Sequence, residues 1–469
     1  MTEQLTFEIE NKPPVEEFPL LQWTGKRPHI STCYYPANHC ERYGNTAEDV
    51  WINRLYLGDN LKVMSHLLKE FKGKVDLVYI DPPFNSNTDY KKKIALRGQK
   101  VAADSTTFDE KQYGDIWTNE EYLQFMYDRL LLMRELMSDK GSIYVHLDEK
   151  HAHYIRLILD EVFGTDSFRR EIVWDISVLS GFKVMAKNWI RGHDTLLFYS
   201  KSSDMTFNKL RQPHRKAYLD RFNKVDAEGR RYFDGRGTVL YLDEVVKKGK
   251  PYGDVWDDIM SFQQIPTANE KVGYPTQKPQ ALLERLISAS SNPGDLVFDC
   301  FMGSGTTQAA AMKLGRRFIG ADINRNAVQT TAKRLIRAAN EPAGSESEEM
   351  QKNIGFDVYC VSEHDVGCDS ANADIVTLDG RLVIRQFHPN NLLHKLSGEK
   401  IKIADWRQLV ESVMIDWNYD GVVMKPSVTD VPGNSELVEG EYDIPINAGT
   451  IKVKITDLLS ESLFMQVMV

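Results

Sequence analysis

Asp299-Cys300-Phe301-Met302-Gly303-Ser304-Gly305-Thr306-Thr307 follows the apolar run Leu296-Val297-Phe298 and leads into a helical pattern through Leu314. A strand ending in closely spaced glycines before a helix is where open α/β sheets place ligands. Gly303 and Gly305 permit close backbone approach, and the helix start presents free N–H groups. Read alone, the same residues also suit a plain tight strand-to-helix turn. Its place in the chain is unusual, because a second strand end precedes it by more than two hundred residues. There Val75-Asp76-Leu77-Val78-Tyr79-Ile80 runs into Asp81-Pro82-Pro83-Phe84. The pair implies one site assembled from two distant pieces of chain.

The α/β rhythm extends outward from both runs. Arg54–Leu57 reads as a strand, followed by Leu61, Met64, Leu67 and Leu68 at helical spacing. Tyr122–Met137 reads as an amphipathic helix with Tyr122, Phe125, Met126, Leu130, Met133 and Leu136 along one side, and Gly141 as its C-cap. Ser142–Leu147 is a strand and Ala152–Phe163 a helix. The rhythm returns at Pro279 with a helix through Ile287, the glycine-loop strand, a helix over Thr306–Leu314, and a strand Arg317–Ala321 ending at Asp322.

These patterns divide the 469 residues into an irregular N-terminal extension, 1–50, and a catalytic half, 51–199. A basic and aromatic insert, 200–265, and a cofactor-binding half, 266–340, come next. The polar linker 341–354 leads to a strand-rich C-terminal α+β domain, 355–469. In that last part Asp379-Gly380 predicts a hairpin turn, and Trp406–Met414 predicts a helix.

Composition narrows the function classes. No apolar run is long enough to span a membrane, and the N-terminus shows no secretory pattern, so a cytoplasmic protein is expected. Five cysteines form no Cys-x-x-Cys pair, which argues against both a disulfide framework and a zinc site. The net charge of −9 is unevenly spread. Residues 341–469 carry 22 acidic and 10 basic side chains, whereas 201–250 carry 7 acidic and 13 basic. The middle of the chain is therefore suited to phosphates, although a solvated surface has the same composition.

The chemistry of the two loops is specific. Asp322 lies nineteen residues after Gly303, near the offset at which an acid binds ribose hydroxyls. Gln308 stands where a dinucleotide fingerprint wants a third glycine, and no lysine occupies the loop as in a P-loop. An adenosyl ligand without a pyrophosphate fits best. Pro82 and Pro83 fix two φ angles and lack N–H donors, leaving carbonyls available. Asp81 and the Pro82 carbonyl can accept both protons of an exocyclic NH₂ group, with Phe84 stacked on its ring. Two acceptors would localise the nitrogen lone pair for attack on a methyl-sulfonium, requiring neither a metal nor a covalent intermediate.

Together these segments resemble the amino-group DNA methyltransferases. Asp81-Pro82-Pro83-Phe84 is similar to their catalytic motif, Phe301-Met302-Gly303-Ser304-Gly305 to their cofactor loop, and Tyr274-Pro275-Thr276-Gln277-Lys278-Pro279 to the segment upstream of it. Catalytic motif first and cofactor loop last is the order of the β class, shared by type III modification subunits. The resemblance covers roughly residues 50–340. It implies a Rossmann-like sheet with permuted motif order and S-adenosyl-L-methionine as cofactor. It further implies that Asp59, Thr276, Gln277, Lys278, Asp299, Phe301, Gly303, Gly305, Thr306 and Asp322 surround the cofactor, with Thr276, Gln277 and Lys278 near its carboxylate and Asp59 near its adenine.

Asp at position 81 favours adenine N6, and cytosine N4 is the alternative. Arg211, Arg215, Lys216, Arg230, Arg231 and Arg236 are the DNA-binding candidates of the insert. The implied partners are double-stranded DNA, a restriction (nuclease or helicase) subunit and a second copy of the chain. A further alternative makes the protein mainly the sequence-reading module of a restriction complex. The acidic C-terminal part, dispensable for the chemistry on this reading, would serve protein contacts. His146 and Asp148 read as a polar strand terminus, and Arg191-Gly192-His193-Asp194 as either a backbone contact to DNA or a turn.

Overall fold

A computed structural model of the chain describes residues 5–10, 19–44, 51–84, 90–98, 107–113, 118–176, 185, 187–235, 237–274, 276–340, 355–361, 371–399 and 401–468. Arg236, Pro275 and the 341–354 linker lie outside the described residues.

The apolar runs form a ten-stranded sheet in the order Val255–Trp256, Phe168–Asp175, His193–Ser200, Met137–Leu147, Val75–Ile80, Leu296–Asp299, Arg317–Asp322, Asn53–Leu57, Phe356–Cys360 and Asn38–Tyr43. The six strands from Met137–Leu147 to Phe356–Cys360 are mutually parallel. They are near-continuous apolar runs because helices cover both faces. Helices Asn60–Phe71, Asn119–Leu136 and Ala152–Phe163 pack on one face. Helices Gln280–Ser290, Thr306–Lys313 and Arg325–Asn340 pack on the other.

The chain passes from Asn53–Leu57 to Val75–Ile80 and leaves two places between them. Much later, Leu296–Asp299 and Arg317–Asp322 fill them. Val297 and Phe298 thus pair with Leu77 and Val78, and the two loops emerge side by side at the carboxyl ends of adjacent strands. This is the switch point at which doubly wound sheets bind ligands.

Several expectations are corrected. Residues 1–50 are not uniformly irregular: Thr6–Glu10 pairs with His29–Cys33, and Asn38–Tyr43 forms one edge of the main sheet. The prolines at 28 and 36 fall between these strands rather than within them. Gly141 is not a helix cap. The helix ends at Leu136, and Gly141 lies inside the strand Met137–Leu147 beside a register shift. A Cβ there would meet the carbonyl oxygens of Val75 and Ser138 at 2.9 Å, so a close backbone approach requires glycine.

The helix Asn119–Leu136 is buried nearly all round rather than on one stripe. The N-terminal segment wraps its outer side, with Trp23 edge-on to Tyr127 and Lys26 paired to Glu161 at 2.7 Å.

The insert is also less separate than expected. Residues 211–251 form two small sheets of their own, but Val255–Trp256 joins the main sheet beside Phe168–Asp175. Likewise Phe356–Cys360 belongs to the main sheet, and the independent C-terminal core begins after it. That core carries the expected hairpin, with Asp379 and Gly380 at positive φ. Trp406–Leu409 is only a 3₁₀ turn before the strand Val410–Asp416, whose β-branched residues and pairing on both sides outweigh helix spacing. Among the described residues the α-helix of this unit is Asn390–Gly398.

Candidate active site

The site is built where the two loops meet. Asp81 follows the last residue of the strand Val75–Ile80, and its Oδ2 is held by the ammonium of Lys278. Its other oxygen, Oδ1, is buried without a hydrogen-bond partner among the described residues. A buried carboxylate oxygen costs free energy unless something donates to it, so the geometry calls for a donor from a ligand. Pro82 is buried beside it, and the Lys278 ammonium lies 5.7 Å from the centre of the Phe84 ring.

The cofactor side is a set of carboxylates held by backbone amides. The Gly303 N–H donates to Asp322 Oδ2 at 3.0 Å and the Asn324 N–H to Oδ1 at 2.8 Å. Each oxygen keeps a lone pair for a further donor such as a hydroxyl. Asp299 accepts from the Phe301 N–H at 2.9 Å and the Thr307 hydroxyl at 2.6 Å. Burial pushes Asp322 up to about 6 and Asp299 up to about 7, against the lowering effect of those hydrogen bonds. Three carboxylates close together in a buried pocket favour a cationic ligand. Asp59 caps the helix Asn60–Phe71 through the Leu61 and Lys62 N–H groups and meets Arg129 at 3.2 Å.

A cavity of about 350 Å³ joins the two sides. All the expected catalytic residues line it, as do the expected cofactor residues except Gly305 and Gln277. Gly305 acts behind the wall: its φ is +73°, and a Cβ there would lie 2.5 Å from Thr331. Gln277 turns away from the cavity, accepting from the Val272 N–H at 2.9 Å and donating to the Glu270 carbonyl at 2.7 Å. It closes its own loop instead of reaching a ligand, which corrects its expected place. Thr306 is anchored to the Lys278 carbonyl and to Arg334, tying the glycine loop to the 276–279 segment.

Residues outside the expected site set also line the cavity, among them Tyr79, Phe125, Tyr274 and Ile323. The place of Tyr274 at the head of the 274–279 segment and of Ile323 beside Asp322 could have signalled those two. His146 is not a mere strand terminus. Its Nδ1 lies 2.9 Å from Tyr79 Oη and its Nε2 3.0 Å from Asp194 Oδ2. Arg191 in turn grips Asp194. Burial alone would raise Asp194, but the hydrogen bond from His146 and the nearby cations bring it down to about 2. Asp194 is thus committed to a buried network behind Tyr79, with Arg191 at its partly exposed rim, where it also pairs with Glu149 at 2.8 Å. Asp148 pairs with His151 at 2.8 Å rather than with the site.

The DNA-binding candidates are unequal. Lys216 is exposed, Arg211 donates to the Gly249 carbonyl, and Arg231 donates to the Phe222 carbonyl. Arg215 makes a loose exposed pair with Asp257 at 3.5 Å. Arg230 is held by both Asp243 and Glu244, so its charge is locally neutralised and it is the weakest phosphate ligand of the set.

Comparison with known proteins places relatives beside the chain. Residues 75–334, more than half of the chain, match the profile of the DNA methylase family. The type II methyltransferase M1.MboII of Moraxella bovis is 32% identical over 259 residues, covering 53% of this chain and 85% of that protein. The DNA adenine methyltransferase YhdJ of Escherichia coli K12 is 27% identical over 325 residues, covering 67% and 92%. The Mod subunit of the type III restriction-modification enzyme StyLTI of Salmonella typhimurium is 26% identical over 343 residues, covering 58% of this chain and 52% of that subunit.

Proposed function

The chain belongs to the DNA methylase family, whose members draw the methyl group from S-adenosyl-L-methionine, and from that membership we propose that it methylates the exocyclic N6 amine of adenine at a specific site in double-stranded DNA. It would do so as the modification enzyme of a restriction-modification system, alongside a separate restriction subunit. One observation carries the reading. The Asp81 Oδ1 atom is buried, lacks a partner among the described residues, and shares a cavity with the Gly303–Asp322 pair.

The residues divide the work between them. Asp81 Oδ1 and the Pro82 carbonyl accept the two amine protons, and Phe84 stacks on the extruded base. Lys278 holds the opposite oxygen of Asp81, fixing the carboxylate so that Oδ1 faces the amine. The proton shed by the amine passes to Asp81. Asp322 supplies acceptors for ribose hydroxyls, and the positive φ at Gly303 lets the backbone approach the ligand. Bound S-adenosylmethionine supplies an electrophilic methyl on its sulfonium, and the carboxylates of Asp299 and Asp81 suit that positive charge. Thr276 and Lys278 are assigned to its methionine end and Asp59 to its adenine. The exposed bases of the insert, Lys216 and Arg215 first, are assigned to the DNA backbone.

A cytosine N4 amine offers the same two protons, so the preference for adenine rests on Asp81 and on the adenine methyltransferase among the relatives. The test is direct. The pure protein is incubated with labelled S-adenosylmethionine and mixed-sequence duplex DNA, which is digested and resolved into nucleosides. Label in N6-methyladenine is expected. Label in N4-methylcytosine overturns the base assignment. Absence of label with retained DNA binding would favour a sequence-reading subunit.

A further inference from the structure

Two elements follow the active-site loops in sequence, and both contact the C-terminal unit. The first is the hairpin Tyr90–Ala95 with Thr107–Tyr113, whose first strand begins six residues after Phe84. It does not join the main sheet. Ile94 and Leu96 are instead buried in a cluster with Leu392, Leu396, Leu409 and Leu458 of the C-terminal unit. The backbone continues the contact. The Arg97 N–H donates to the Gln408 carbonyl at 3.0 Å, and the Gly98 N–H to the Asn434 carbonyl at 3.1 Å. Arg97 also donates through its guanidinium to Asn434 Oδ1 at 2.5 Å. Gly98 sits so tightly that a Cβ would lie 3.0 Å from Leu437.

The second element is the helix Arg325–Asn340, which begins three residues after Asp322. Asn326, Gln329 and Lys333 recur at helical spacing along one side of it. Ser460 donates to Asn326 at 3.2 Å, Lys454 to Gln329 at 2.8 Å, and Lys333 pairs with Glu411 at 2.9 Å. Lys454 is 1% exposed and also bridges to Glu41 at 2.7 Å and Tyr43 at 2.8 Å on the edge strand.

We propose that the C-terminal unit is a positioning brace for catalysis, holding the hairpin strand Tyr90–Ala95, which follows Phe84 in sequence, and the helix Arg325–Asn340, which follows Asp322, on one common support. The proposal rests on the methyl-transfer reading above and assigns the unit a part in the chemistry rather than in partner contacts alone. The physical reason is positional. The Asp81 and Phe84 loop comes from one half of the sheet and the cofactor carboxylates from the other. Attack in line requires the two sets to be registered within a fraction of an ångström, and a misplacement of about 1 Å costs about 100-fold in rate. Upstream of the loop lies the strand Val75–Ile80, and the described residues that next follow it in sequence are held by the C-terminal unit at Ile94, Leu96 and Arg97. None of these residues touches the cavity.

The test is the Ile94→Ala/Leu96→Ala double variant of the full chain, with Arg97→Ala/Asn434→Ala as a polar variant that leaves the apolar cluster intact. The kcat for methyl transfer is expected to fall by about 100-fold in the first and by a smaller factor in the second. Cofactor affinity by calorimetry stays unchanged, and Leu96→Ile restores most of the rate. Amide exchange is expected to rise at residues 90–98 and at Phe84. If exchange at 90–98 rises while kcat stays within about twofold of the unaltered enzyme, the brace is refuted. Exchange that does not rise refutes it as well. If the unaltered protein itself transfers no methyl to DNA, the functional reading fails separately. The brace is then judged by exchange at Phe84, which must still rise in the double variant.

Discussion

Asp81 and Lys278 show how much of the site is decided by single atoms. The Asp-Pro-Pro-Phe tetrapeptide was legible because consecutive prolines and an acid at a strand end have few uses. The pairing of Asp81 with Lys278 was not, because it joins residues nearly two hundred positions apart. Asp81→Ala is expected to abolish transfer, with a loss of at least about 100-fold in kcat, while S-adenosylmethionine still binds. Single-turnover kinetics and calorimetry separate the two, and retained transfer would remove Asp81 from its catalytic role. Asp322 adds a pH dependence. Its folded value is raised from 3.8 to about 6, so the stability linked to its proton is fully present below 3.8 and is lost as pH rises through about 6. A ligand whose hydroxyls donate to the carboxylate reverses that sense. Cofactor affinity is therefore expected to be full above about pH 6 and to weaken below it, as titrations across that range would reveal.

At the scale of the element, the glycine loop and its helix were read correctly, yet the two glycines do different things. Gly303 lines the cavity, whereas Gly305 is required by Thr331 behind it. Gly305→Ala is expected to destabilise the fold by roughly 1–3 kcal/mol, since it combines positive φ with a steric clash. Denaturant unfolding measures the effect, and a pairing change at Thr331→Ser or Thr331→Ala should recover part of it. Gln277 carries the opposite lesson. A motif position gave its residue type, but a local hydrogen-bonded loop claimed its amide. The helix misplaced at Trp406–Met414 fails for a related reason, because short apolar runs fit both helix and strand until their neighbours are known.

Across the whole molecule, segments from outside the expected catalytic region are woven into the main sheet. Asn38–Tyr43 and Phe356–Cys360 close one edge, and Lys454 of the C-terminal unit is buried against Glu41 on that edge strand. Lys454→Ala is expected to cost about 3–5 kcal/mol, because it leaves the Glu41 carboxylate buried without its cation. Thermal unfolding tests this, and a loss below about 1 kcal/mol would show that the pair is dispensable. Local sequence already carried the α/β class, the permuted order of the two loops, and most residues that face the cavity. Strand periodicity, proline stiffness and glycine freedom are local properties, and local properties are written in local sequence. It took the folded chain to establish that Leu296–Asp299 slots beside Val75–Ile80, that Tyr79, His146 and Asp194 form one network, and that the C-terminal unit holds Ile94 and Leu96 at the hairpin that follows Phe84 in sequence. Those contacts join distant segments through packing and burial, and no local pattern of residue types specifies which distant surfaces will meet.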